Sequence, residues 1–288
     1  MSDQAQLDAR AEGGHRAPTR AFIDQVTPLI ITYNEEANIE RTLSALRWAK
    51  RIVVVDSGST DATLAILARD PRVVVHHNPF ESFARQCQFG LARIETEWAL
   101  SLDADYELSE ALIAEIARLR PADSIAGYTA RFVYRIHGRN LRGTLYPPRT
   151  VLYRRALATY RDIGHGHRVE ISGAVEQLEG PIFHDDRKPL SRWFASQQRY
   201  AQREADHLLS AQRSELSWPD RLRLMMWPAP PLVLFYTLFA KGCILDGWAG
   251  WSYALQRLTA ETMLALELCE RRLSGRAAHV RAKRQSHG

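Results

Sequence analysis

Two aspartates separated by one residue, Asp103-Ala104-Asp105, follow directly on the apolar run Trp98-Ala99-Leu100-Ser101-Leu102. If that run is a β-strand, alternation puts residues two apart on one face, so both carboxylates emerge together at the strand's carboxyl end. Such a pair offers hard oxygens to Mg2+ or Mn2+, ions that need few protein ligands and take their remaining oxygens from phosphate groups. An isolated D-x-D is mostly solvated loop; the apolar strand before this one gives it weight. Asp56 closes a similar run, Val53-Val54-Val55, and opens Ser57-Gly58-Ser59-Thr60-Asp61. On residue chemistry alone, Asp56 caps that turn.

Elements that could position these residues are legible upstream and downstream. Pro28 to Thr32 reads as a first strand, and Asn34 as the cap of a helix carrying Ile39, Leu43 and Leu46 at i, i+4 and i+7. Arg51 to Val55 reads as a second strand, apolar almost throughout as a strand covered on both faces should be. Asp61 starts a helix, Val73 to Val75 form a third strand, residues 81–94 a helix, and Trp98 to Leu102 the fourth strand. Ser109 caps a helix carrying Leu112, Ile113, Ile116 and Leu119. Short β-branched runs alternating with helical patterns predict an α/β fold, a mostly parallel sheet with helices on its faces. In such sheets ligands bind beyond the carboxyl ends of the strands, where Asn34, Asp56 and Asp103 each stand. From Tyr128 the pattern becomes irregular, with strands expected over 128–136 and 151–153 and an acceptor pocket among many Gly, His and Arg.

The 288-residue chain, 45% hydrophobic, is long enough for one such domain and an appendage. Cys87, Cys243 and Cys269 lie far apart in no metal-ligand or disulfide spacing, which fits a reducing compartment. Residues 1–26 read as a flexible leader without the apolar core of a signal peptide, so the catalytic part is expected in the cytoplasm. Residues 27–186 then form the catalytic domain and 187–221 a helical linker. Residues 222–270 are apolar and tryptophan-bearing. The stretch from Pro228 to Leu245 is broken by three prolines and Lys241, short of the roughly 20 clean apolar residues of a membrane span. It reads as interfacial helices seated on a membrane surface, with a buried hairpin or a dimer interface as the plainer alternatives. Residues 271–288 form a basic tail suited to an anionic membrane; nucleic acid is not an expected partner.

Three blocks resemble those of family 2 glycosyltransferases in order and spacing: Ile31-Thr32-Tyr33-Asn34-Glu35-Glu36, then Val53 to Asp61, then Leu100-Ser101-Leu102-Asp103-Ala104-Asp105. A fourth, Lys241-Gly242-Cys243-Ile244-Leu245-Asp246-Gly247-Trp248-Ala249-Gly250, is similar to a C-terminal stretch of the lipopolysaccharide core glucosyltransferases. The resemblance implies a GT-A fold (a Rossmann-like, mostly parallel sheet) and inverting transfer from a nucleotide-sugar, foremost a UDP-sugar, to a lipid-linked saccharide at the cytoplasmic face of the inner membrane. It implies that Thr32, Tyr33, Asn34, Glu35, Asp56, Gln86 and Asp103 bind the donor, and that Asp103, Asp105 and His184 hold Mg2+ or Mn2+. Arg149, Arg154 and Arg168 are candidate cations for the leaving diphosphate, and Arg85 replaces a cation at Cys87 that relatives carry. The family's familiar glutamate-aspartate pair is missing, so the general base falls among Asp162, His165 and Glu170, with Asp162 the choice. A polyprenyl-phosphate sugar transferase, whose acceptor is already ionised, and a non-catalytic membrane scaffold are the competing readings.

Overall fold

The structure, a computed structural model of the chain, describes residues 21–163 and 166–285. Most of the expected leader, and His165, lie outside the described residues. Residues 22–25 of that leader instead form a 3-10 turn whose Phe22 is buried edge-on against Trp98, ring centres 5.1 Å apart. Core packing therefore begins before residue 27.

Strand and helix alternate at first: β1 (Val26–Thr32), α1 (Ile39–Ser44), β2 (Ile52–Asp56), α2 (Thr63–Leu67), β3 (Val73–His77) and α3 (Phe83–Leu91). Then come β4 (Trp98–Asp103), β5 (Tyr106–Leu108) and α4 (Glu110–Arg118), the last capped by the Ser109 hydroxyl, which accepts from Leu112 N at 3.1 Å. A strand-rich stretch follows: β6 (Ile125–Ala130), β7 (Phe132–Ile136), β8 (Arg139–Asn140), β9 (Arg149–Arg154) and β10 (Ala158–Ile163). It ends with β11 (Gly166–Ile171), β12 (Ala174–Gln177) and β13 (Ile182–His184).

Seven strands form one sheet in the order β12-β6-β9-β4-β1-β2-β3. Only β9 runs antiparallel to its neighbours, β4 and β6; the other pairs are parallel. Helices cover both faces, and strand alternation divides the core between them. Ile30, Val54 and Leu100 pack with Leu43 of α1, Leu67 of α2 and Leu112 and Ile116 of α4. Leu29, Val53 and Ala99 face Ala84, Cys87 and Leu91 of α3. Cys87 is thus a buried packing residue.

The single strand expected over 128–136 is two. The chain leaves the large sheet at Arg131, whose Nε donates to Glu179 O at 3.3 Å, and β7 joins a second sheet ordered β5-β13-β7-β8. Run length alone cannot show such a change of sheet, because both halves are apolar.

The C-terminal helices are α5 (Leu190–Ser210), α6 (Trp218–Arg223), α7 (Ala229–Phe235) and α8 (Trp248–Gln285). Ala201, Ala205 and Leu208 of α5 pack on Leu264 and Leu268 of α8, so α5 is one half of a helical layer. After α7 a π turn (Tyr236–Ala240) and a 3-10 turn (Cys243–Asp246) reverse the chain, with Gly242 and Gly247 at φ 71° and 61°. The expected basic tail continues α8 as far as Gln285, its last three residues lying outside the described residues; at 38 residues that helix is about 57 Å long. Among the described residues no helix is long and apolar enough to cross a membrane.

Candidate active site

Thr32 pairs in register with Asp56, and Ile31 with Asp103, so the ends of β1, β2 and β4 share one edge. Thr32 is buried with its hydroxyl unpartnered, and Tyr33 beside it is 52% exposed at the rim. Asn34, at φ 56°, does not cap α1. Its Oδ1 accepts from Thr60 N (2.6 Å) and Asp61 N (3.3 Å), and its own N–H donates to Ser59 Oγ (2.8 Å), tying the β1 loop to the β2 loop. The separation of 26 residues between Asn34 and Thr60 hides this role from local reading.

Asp56 is buried and caps its turn, as residue chemistry alone suggests. Oδ2 accepts from Gly58 N (2.8 Å) and Ser59 N (2.9 Å), and Oδ1 from Ser59 Oγ (2.5 Å). Of roughly four acceptor positions on a carboxylate, one is left for a ligand. Gln86 is committed to the scaffold: Nε2 donates to Ser57 Oγ (2.8 Å) and Asn78 O (2.7 Å), and Oε1 accepts from Asn78 Nδ2 (2.5 Å).

Asp103 ends β4 and Asp105 lies in the turn beyond it, so the pair is presented by a strand end and a turn rather than by strand alternation. Asp103 is partly exposed, and Asp105 is buried. The pairing of β13 with β5 sets His184 opposite Tyr106, and His184 Nε2 comes within 3.2 Å of Asp105 Oδ2. Asp105 Oδ1 and His184 Nδ1 are buried without partners. Burial pushes the Asp105 pKa up, but His184 and then Lys188 outweigh it and hold it at about 2. Burial disfavours charge on His184 too, yet Asp105 overrides it and shifts its pKa upward. The rings of Tyr106, Tyr134 and Tyr146 pack around the imidazole at 5.2, 4.6 and 5.2 Å.

Two cations stand close by. Lys188, which sequence reading passed over, lies 2.5 Å from Glu35 Oε1 and 3.6 Å from Asp186 Oδ1. Arg149 sits 4.5 Å over the Tyr146 ring; burial works to lower its pKa, but Tyr146, Tyr106 and Asp103 raise it on balance. The other candidate arginines are elsewhere. Arg154 covers Trp98 at the opposite end of β4 and pairs with Glu97, because β9 runs antiparallel there. Arg168 is exposed on the β10–β11 hairpin, and Arg85 is exposed and paired with Glu81. Glu170 is paired with Arg161 at 2.8 Å. Asp162 is exposed, and its Oδ1 accepts from Ala84 N at the start of α3 (3.1 Å). The start of α3 follows the carboxyl end of β3, which places Asp162 toward the same edge.

Strand-end loops converging on paired carboxylates in a mostly parallel sheet form the edge at which open α/β sheets bind their ligands. Residues 28–170 match the model of glycosyl transferase family 2. This part of the chain is a family 2 glycosyltransferase domain of GT-A fold, and the protein is a glycosyltransferase.

Lipopolysaccharide core biosynthesis glycosyltransferase LpsC of Rhizobium meliloti (strain 1021) is 27% identical over 264 residues, covering 85% of this chain and 92% of LpsC. An uncharacterized glycosyltransferase of Rickettsia bellii (strain RML369-C) is 25% identical over 221 residues, 70% of this chain and 74% of its own. Among solved structures, S. aureus TarS 1-349 in complex with UDP-GlcNAc aligns with a TM-score of 0.42 at 14% identity, over 85% of this chain and 91% of that one.

Proposed function

We propose that this enzyme transfers a sugar, with inversion, from a UDP-sugar to a hydroxyl of a lipid-linked saccharide of the lipopolysaccharide-core type, at the cytoplasmic face of the inner membrane. The observation that carries the reading is the convergence of Asp103, Asp105 and His184 on the edge that also holds Thr32 and Asp56. The likeness to LpsC over most of both chains supports the acceptor class.

The residues present fit Mg2+ or Mn2+. Asp105 offers a buried, unpartnered Oδ1, and His184 presents a nitrogen at its other oxygen. Among the described residues no three His, Cys, Asp or Glu are placed to hold a metal ion by themselves; Asp105 and His184, with Asp103, would need the donor's diphosphate to supply the remaining oxygens. When bound, the ion neutralises charge that builds on the departing nucleoside diphosphate.

The chain's own groups do the rest. Arg149 and Lys188 add fixed positive charge in a partly dry site, where it acts more strongly than in water. Tyr33 stacks on the base from the rim, and the free position on Asp56 takes a base or ribose donor. Asp162 accepts the acceptor's proton on the face opposite the leaving group.

A donor screen tests the reading: nucleotide release from UDP-, GDP-, CMP- and dTDP-sugars with Mn2+, with and without core oligosaccharide. UDP-sugar turnover stimulated by the oligosaccharide is expected. Turnover confined to another nucleotide would overturn the donor, and transfer to a polyprenyl phosphate with Asp162→Asn fully active would overturn the acceptor.

A further inference from the structure

The Lys241–Gly250 stretch and the apolar segment before it have no part in the site just described. Between Arg221 and Ala260 the sequence has a single acidic residue, Asp246. It is buried, and it accepts from Arg142 N at 2.9 Å with Arg142 Nε at 3.3 Å. No carboxylate in that stretch therefore faces solvent.

Large apolar side chains do. Trp227, Phe235, Phe239, Leu245, Trp248 and Trp251 are between 46% exposed, at Trp251, and 77% exposed, at Trp227. The inward side of the same reversal is closed by Leu238, Cys243, Ala249 and Tyr253, so the exposed set points away from the core. Phe235 and Phe239 stack on the open side, 6.0 Å apart and 16° from parallel. With aromatic side chains of roughly 150–250 Å2 each, every one of these leaves an apolar area on the order of 100 Å2 open to solvent. Cations rim it. Lys241 lies over the Tyr236 ring, Arg139 stands beside Gly247, and Arg142, paired with Asp246, is mostly exposed.

We propose that this face is seated on an anionic lipid bilayer, with its tryptophans at headgroup level, and that it holds the active-site opening at the bilayer surface. Tryptophan beside cations, with the one carboxylate of the stretch buried, matches an apolar layer bounded by negative headgroups. A second copy of the chain matches it less well, because the same face of a copy offers the rim cations no exposed carboxylate from this stretch.

The face is also joined to the site. Tyr253 OH accepts from Leu145 N at 3.0 Å, in the loop that carries Tyr146 to His184. The Tyr253 ring is 4.9 Å from Tyr134, which is 4.6 Å from His184. A seat on the bilayer thus fixes the height of the site above the surface, as a lipid-borne acceptor requires. The inference deepens the acceptor part of the proposed function. Vesicle binding needs neither donor nor acceptor, so its failure is distinguishable from failure of glycosyl transfer.

The test is flotation of the full chain with phosphatidylcholine vesicles, with and without phosphatidylglycerol, alongside tryptophan emission. Co-flotation with the anionic vesicles and a blue shift of emission are expected. The combined substitution Trp227→Ser, Phe239→Ser, Leu245→Ser should weaken binding at least about tenfold with an unchanged melting temperature, since all three side chains are in the open. Trp227→Ser alone, expected to weaken binding severalfold, carries the test if the triple variant misfolds. A chain that stays at the bottom of the gradient with both vesicles overturns the proposal. So does a solution dimer that the triple substitution dissociates and that never floats. Equal flotation with neutral vesicles overturns the anionic-lipid assignment.

Discussion

His184 Nε2 stands 3.2 Å from Asp105 Oδ2, although 79 residues separate them. The contact exists because β13 adds to the edge of β5, the short strand that continues from β4 through the Asp105 turn. The contact leaves Asp105 Oδ1 buried without a partner, an oxygen suited to a cation. Asp105→Ala should therefore lower transfer by roughly 10³-fold or more, since loss of a group that offsets leaving-group charge costs several kcal/mol of barrier. Excess EDTA should do the same to the native enzyme. Initial-rate measurements check both, and full turnover in EDTA, or by Asp105→Asn, would sink the metal assignment.

Asp56 has two roles that kinetics can separate. Three of its hydrogen bonds hold the Gly58–Ser59 turn, and the remaining acceptor position is open to the donor. Asp56→Ala should raise the donor KM about 10- to 150-fold, the worth of a charged hydrogen bond of about 1.5–3 kcal/mol, with kcat little changed. It should also lower the melting temperature, because two partly buried backbone N–H groups lose their acceptor. A large fall in kcat at saturating donor would move Asp56 into the reacting set.

Much of this was legible in the sequence where burial is continuous. All five residues of β2 are buried, and such a run reads as a strand without knowledge of its neighbours. The helix capped by Ser109 reads equally well, because cap and periodicity are local. Asp103 and Asp56 were legible as strand-end residues, but the Asp56 hydrogen bonds and the partners of Asn34 depend on how two loops meet. Lys188 was missed because its partner Glu35 lies 153 residues away and no local pattern links them. Arg154 was misplaced for a related reason: only the antiparallel direction of β9 reveals that it sits at the far end of the sheet. The turn after α7 could be read as apolar, yet which of its side chains face inward is set by packing on α8.

That turn offers a stability prediction. A Cβ on Gly250 would lie 1.7 Å from Cys243 O, a backbone atom with no freedom to withdraw. Gly250→Ala must separate the start of α8 from the 3-10 turn and disturb the contact of buried Asp246 with Arg142. Overpacking of a tight site costs about 1–3 kcal/mol, and more when backbone must move, so a loss of at least about 3 kcal/mol is expected. Denaturant unfolding checks it, and a variant as stable as the native chain would mean that the turn is not packed as described.

Glu35 supplies the pH dependence. Its carboxyl is largely buried, 2.5 Å from Lys188 Nζ and accepting from Asn38 Nδ2 at 2.8 Å. Burial first and Asp105 second push its pKa up to about 7, against the opposing pull of Lys188. A carboxyl whose folded pKa lies above its unfolded value of 4.5 binds its proton more tightly in the native state. Its contribution to stability is therefore fully present below that unfolded value and is lost as pH rises through about 7. Lys188, whose own pKa is pushed up, remains charged throughout this window. Glu35→Gln removes the titration, so in protein free of divalent metal the native melting temperature should fall relative to that of Glu35→Gln between about pH 5 and pH 8. The change should amount to a few kcal/mol at most, because each tenfold difference in proton affinity between the folded and unfolded chain is worth about 1.4 kcal/mol. Paired thermal melts across that range decide it. A native chain that gains on Glu35→Gln as pH rises would show that attraction to Lys188 outweighs burial.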